Sequence, residues 1–214
     1  MDDRELERCR RYVEKLFAAE DRILEELQRA SSQAGLPSIS IDPIEGKLLQ
    51  VLVRAVGARR VLELGTLGGY SAMWIARALP EDGLLITVEL DPERADLARH
   101  FAERAGLGDR VSFRVGPATE LLPGLVEEGP FDAVFIDADK EGYPLYLDWC
   151  RANVRAGGLV IADNAFKKGQ VLEGRTQDPG VLGIQEFNRR LASDPHFTSI
   201  VLPMHDGIAI AVVN

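Results

Sequence analysis

At 214 residues, 46% hydrophobic and 28% charged, the chain has apolar material for one domain with a sizeable core, and too little length for two. Twenty-five basic residues against 34 acidic ones leave a formal net charge of −9, which repels polyanions and argues against nucleic acid as a partner. No apolar run nears the roughly 20 residues of a membrane helix, and the charged start Met1-Asp2-Asp3-Arg4-Glu5 does not read as an export signal. The two cysteines, Cys9 and Cys150, suit reduced thiols in the cytoplasm.

Over residues 4–30, Leu6, Cys9, Val13, Leu16, Phe17, Ile23, Leu24 and Leu27 recur at steps of three and four, which predicts one long amphipathic helix. Ser31 to Pro37 stops it, and residues 1–42 form a helical extension and linker ahead of a helix opening at Pro43. From Gly57 onward short apolar runs alternate with helical stretches, the pattern of a parallel sheet covered on both faces. Strands are expected at 60–64, 84–90, 111–115, 133–137 and 159–162, and helices at 71–78, 92–105, 118–122, 143–153 and 181–192. Residues 197–202 and 208–213, joined by Pro203-Met204-His205-Asp206-Gly207, read as an antiparallel hairpin. The fold class is therefore α/β, a doubly wound, mostly parallel sheet of seven strands, in a single domain spanning residues 1–214.

In such sheets ligands sit beyond the carboxyl ends of the strands. The first strand runs into Glu63-Leu64-Gly65-Thr66-Leu67-Gly68-Gly69-Tyr70-Ser71, a glycine turn that brings backbone close to a ligand without matching the dinucleotide spacing. Glu89 ends the second strand, where a carboxylate can accept both hydroxyls of a ribose, and Gly116-Pro117-Ala118 after the third offers a wall for a flat base. An acid at Glu63 suits a ligand with an ammonium and a sulfonium better than phosphates, which points to S-adenosylmethionine. Asp137 and the pair Asp163-Asn164 follow the fourth and fifth strands. As three oxygen ligands they select a hard cation, Mg²⁺ above all, with Ca²⁺ or Mn²⁺ open; otherwise they cap helices or face water. Lys140, three residues on, is placed for general-base work, or is an ordinary solvated lysine.

The glycine-turn run, together with Phe135-Ile136-Asp137-Ala138-Asp139-Lys140, Asp163-Asn164 and Leu202-Pro203-Met204-His205-Asp206-Gly207, resembles the cation-dependent O-methyltransferases of the caffeoyl-CoA and catechol type. The resemblance implies a class I methyltransferase fold. It implies S-adenosylmethionine contacts at Ile41, Glu63, Gly65, Thr66, Ser71, Glu89, Leu90, Ala118, Asp137 and Asp139, and metal ligands at Asp137, Asp163 and Asn164. Lys140 falls at the catalytic lysine of the catechol-type enzymes, with Asp137 beside it. After Asp163-Asn164 the chain has Ala165-Phe166-Lys167-Lys168 where plant members continue Thr-Leu-Trp-Asn, so no particular acceptor carries over. The expected reaction is methyl transfer to one hydroxyl of a small aromatic diol. Its rivals are a methyltransferase acting on RNA or protein, and a non-catalytic nucleoside-binding oligomeric module; a nicotinamide oxidoreductase ranks last. The first helix, lacking a place on a sheet already covered, predicts a homodimer. The polar segment 167–180 predicts a mobile loop beside the acceptor, and His205 an ordinary turn residue.

Overall fold

A computed structural model describes residues 2–174 and 176–214. Its seven strands form one sheet: β1 (Arg60–Leu64), β2 (Leu84–Glu89), β3 (Val111–Val115), β4 (Phe131–Ile136), β5 (Val154–Ala162), β6 (Phe197–Leu202) and β7 (Ile208–Val213), in the order β3-β2-β1-β4-β5-β7-β6. The first five run parallel, while β7 pairs antiparallel with β5 and β6.

Alternate residues of each strand face opposite ways, and each face meets its own helices. Val61, Leu85, Ala133, Phe135 and Ile161 pack beneath α2 (Arg22–Gln33), α3 (Pro43–Ala55), α4 (Tyr70–Ala76) and α5 (Pro92–Arg104). Leu62, Leu64, Ile86, Val134 and Ile136 pack beneath α6 (Ala118–Leu125), α7 (Tyr143–Asn153) and α8 (Pro179–Ser193). Each fully buried Leu, Ile or Val contributes about 1.5–3 kcal/mol, so both faces hold the same sheet firmly.

The single helix expected over 4–30 is two: α1 (Asp3–Phe17) and α2. Asp21 accepts Leu24 N–H at 3.0 Å and pairs with Arg77, starting a new helix whose Leu24 and Leu27 are buried. The apolar spacing continues across the break, so periodicity alone does not reveal it. β5 begins at Val154 rather than 159: the Gly157-Gly158 pair, which looks like a turn, is an irregularity through which the ladder with β4 shifts register and continues. β4 likewise begins at Phe131 and ends at Ile136. β2 ends at Glu89, α4 covers Tyr70–Ala76, α6 runs on to Leu125, and α8 covers Pro179–Ser193. The hairpin strands match their expected limits. No described helix is long and apolar enough to cross a membrane.

Candidate active site

Strand order reverses between β1 and β4, and the carboxyl ends there open into a cleft of about 890 Å³. Gly65, at φ +96°, makes the opening geometry: a Cβ there would run into the Asp137 carbonyl oxygen. Its N–H bonds Val88 O at 3.0 Å, and Asp137 N–H bonds Leu64 O at 2.8 Å, so the ends of β1, β2 and β4 are tied together.

Glu89, buried, holds the turn from below. Its Oε2 accepts Thr66 N–H at 3.2 Å and Leu67 N–H at 2.7 Å, and its Oε1 accepts Asp91 N–H at 3.0 Å. Three of about four acceptor positions are thus filled, and the remaining capacity lies on Oε1. Glu63 is not on the cleft wall. It lies beneath the turn, fully buried, accepting Ser71 Oγ at 2.6 Å and Thr87 Oγ1 at 2.5 Å. Burial outweighs these two donors and pushes its carboxyl up to about 7. Ile41, Gly65, Thr66, Ser71, Glu89, Leu90, Ala118, Asp137, Asp139, Lys140 and Asn164 all line the cleft.

At the other end, Lys140 Nζ donates to Asp137 Oδ1 at 2.7 Å and to Tyr143 Oη at 2.8 Å. Tyr143, fully buried, in turn reaches the carbonyls of Ile136 and Asp163, each at 3.1 Å, which locks the lysine to the ends of β4 and β5. Asp139 spends both oxygens on structure, accepting Gly142 N–H at 3.0 Å and Tyr146 Oη at 2.5 Å. Asp163 is buried behind the wall, joined to β4 by its N–H to Ile136 O at 3.0 Å. Burial, then the charge of Asp137, pushes its carboxyl up to about 6. Asn164 holds a left-handed backbone, φ +56°, between Asp163 and the loop. Asp137 lies close enough for its charge to act on Asp163, Asn164 adjoins Asp163, and Lys140 is the cation paired with Asp137; the oxygen donors of these three residues are of the type that suits a hard divalent cation.

Sequence reasoning passed over Tyr143, Tyr146, Asp42 and Glu45. Lys140-x-x-Tyr143 at helical spacing was the available signal for the tyrosines, and Asp42-Pro43-Ile44-Glu45, a capping box, for the acids. Burial and then the facing charge of Asp163 push the Glu45 carboxyl up to about 8. His205 does more than turn the chain: at φ +48° its Nε2 lies 2.6 Å from Asp42 Oδ2. The segment 167–180 is pinned by Lys167 Nζ to Asp178 at 2.7 Å and by Gln185 Nε2 to Val171 O at 3.0 Å; Arg175 within it is outside the described residues.

Residues 14–213 match the family model described as O-methyltransferase. A catechol O-methyltransferase of Niastella koreensis is 42% identical over 221 residues, covering 100% of both chains. The crystal structure of the Bacillus cereus O-methyltransferase in complex with SAH superposes with TM-score 0.91 at 40% identity, covering 95% of this chain and 96% of that one. An O-methyltransferase of Streptomyces achromogenes involved in tomaymycin synthesis, in complex with SAM, superposes with TM-score 0.92 at 36% identity over 100% of both chains. Fold, sequence and the furnished strand ends agree, and the chain belongs to the O-methyltransferase family.

Proposed function

We propose that the protein moves the methyl group of S-adenosylmethionine to one hydroxyl of a small vicinal aromatic diol, of catechol or hydroxycinnamoyl type. In this reading a divalent cation, Mg²⁺ first and Ca²⁺ or Mn²⁺ as alternatives, is held by Asp137, Asp163 and Asn164. The observation that carries the reading is the Lys140–Asp137 pair at 2.7 Å, on the wall of the cleft that Glu89 also lines, with the Asp163 carboxyl buried behind it. Asp137, Asp163 and Asn164 would hold the cation, which would supply Lewis acidity toward the acceptor hydroxyls. Lys140 Nζ takes the acceptor's hydroxyl proton, while Tyr143 keeps that nitrogen aimed. The oxygen–methyl bond forms as the methyl–sulfur bond breaks in line, so positioning by the cleft supplies much of the rate. Ile41, Gly65, Thr66, Ser71, Glu89, Leu90, Ala118, Asp137 and Asp139 hold the donor, and Glu63 supports it from beneath through Ser71.

The test is a screen of catechols, their monophenol analogues and hydroxycinnamoyl esters with labelled methyl donor, with Mg²⁺ or with chelator. Vicinal diols should be methylated and monophenols hardly at all, chelator should abolish turnover, and Mg²⁺ should restore it. Full activity in excess chelator overturns the cation, and turnover of RNA or protein in place of diols replaces the acceptor class.

We further propose a homodimer and a cytoplasmic enzyme of one domain. Leu6, Tyr12, Leu16 and Phe17 project from one face of α1, each more than half exposed, and a second copy is the apolar surface that would cover them. Two cysteines far apart in the chain, without metal-type spacing, suit a reducing compartment. The one sheet shared by both cores supports a single domain.

A further inference from the structure

The capping box of α3 explains why Asp42 and Glu45 are close: Asp42 Oδ1 accepts Glu45 N–H at 2.8 Å and Glu45 Oε2 accepts Asp42 N–H at 3.2 Å. It does not explain two further features. Glu45 is only 4% exposed, and its Oε1 is buried without any hydrogen-bond donor, an arrangement that leaves desolvation of a carboxyl oxygen uncompensated. His205, about 160 residues away in sequence, holds a left-handed backbone that sets its imidazole against Asp42. One ligand atom from each of Asp42, Glu45 and His205 lies within 4.8 Å of the other two; bonds of about 2.0–2.1 Å to a tetrahedral ion set ligand atoms roughly 3.3 Å apart, so an entering ion would part the 2.6 Å contact of His205 Nε2 with Asp42 Oδ2 and take its place between them.

The surrounding charge also asks for a cation. The carboxylates of Asp137 and Asp163 face Glu45, and Asp206 faces Asp163. Among the described residues, Arg10 on Asp42 and Lys140 on Asp137 are the only Lys or Arg side chains ion-paired to this group of acids, and His205 Nε2 touches Asp42 Oδ2. An imidazole nitrogen with two carboxylate oxygens differs in kind from the all-oxygen set at Asp137, Asp163 and Asn164. It favours a borderline transition ion over Mg²⁺.

We propose that Asp42, Glu45 and His205 form a second divalent-cation site, of Zn²⁺ type, next in sequence to the cleft-lining Ile41 and Asp206 and separate from the oxygen-ligand set. The ion would supply the missing partner of Glu45 Oε1 and join α3 to the β6–β7 turn. Arg10 is its competitor: the guanidinium occupies Asp42 Oδ2 from the exposed helix α1 and must swing away for the ion to enter.

The experiment is calorimetric titration of the full chain with Zn²⁺ in a large excess of Mg²⁺, together with zinc-edge anomalous diffraction from soaked crystals. Wild type should take up Zn²⁺, with the anomalous peak between Asp42, Glu45 and His205. His205→Ala and Glu45→Gln should each weaken uptake by about tenfold or more, a ligand counting for at least as much as the outer-shell partners whose loss costs 10–100-fold. Gln at position 45 can still close the capping box, so this variant should fold, and a thermal melt checks it. Arg10→Ala should tighten binding. Asp163→Ala removes a neighbouring charge but no ligand, so it should weaken uptake less than His205→Ala and leave the anomalous peak between Asp42, Glu45 and His205, which separates this site from the proposed Mg²⁺ site. A peak at Asp137, Asp163 and Asn164 alone, or unchanged uptake in His205→Ala, overturns the proposal.

Discussion

Glu89 serves two masters at the residue scale, because the carboxylate that would receive the ribose also holds the backbone of the turn through Thr66 and Leu67. Glu89→Ala removes both at once. S-adenosylmethionine binding should weaken by about 1.5–3 kcal/mol, the scale for hydrogen bonds to a charged group. Calorimetry measures it, and an unchanged dissociation constant removes Glu89 from the donor site. Lys140 is tied to Asp137 and Tyr143, and neither bond goes to the glycine turn. Lys140→Ala should therefore keep donor affinity and lose about 10² to 10⁴ in turnover, the span of general-base catalysis. Turnover within a few-fold of wild type would make the lysine a structural counter-charge only.

Asp132 shows how an element is held. From the start of β4 its Oδ2 accepts the N–H groups of Arg59 and Arg60, both at 2.8 Å, and its Oδ1 takes Arg155 Nε at 2.5 Å from the irregular part of β5. Burial alone would raise this carboxyl, but Arg155 and the two backbone donors outweigh it, and the pKa lies below the ordinary 3.8. A depressed folded-state pKa stabilises fully above the unfolded value and is lost as pH falls through the folded one. The melting temperatures of wild type and Asp132→Asn should thus differ most above about pH 4 and converge in stronger acid, in thermal melts run from roughly pH 6 to pH 2. Parallel curves would mean that the charge of Asp132 does not support the β1–β4–β5 junction.

For the whole molecule, α1 is the element without a home. Leu6, Tyr12, Leu16 and Phe17 are 55–63% exposed, whereas α2 buries Leu24 and Leu27 completely. Light scattering at micromolar concentration should give twice the chain mass, and a charge introduced by Leu16→Glu should reduce it to one chain. A monomer in wild type would reject the dimer and leave α1 as a cover for the cleft, where Arg10 already reaches Asp42.

The sheet was legible from the chain, because short β-branched and leucine-rich runs between capped helices have few other solutions. Asp91-Pro92 and Asp42-Pro43 mark helix starts through local hydrogen bonds that need no distant partner. The glycine turn, Lys140 beside Asp137, and the adjacency of Asp163 and Asn164 were legible for the same reason: their geometry is set within a few residues. Tertiary structure alone decided what covers each face. It broke the first helix at Asp21, where Arg77 pairs with the new cap, and carried β5 through two glycines because β4 lay alongside to receive it. It sank Glu63 beneath the turn by bringing up Thr87 from the next strand. It also set His205 against Asp42, since periodicity reports which side of an element is apolar but not which distant charge meets it.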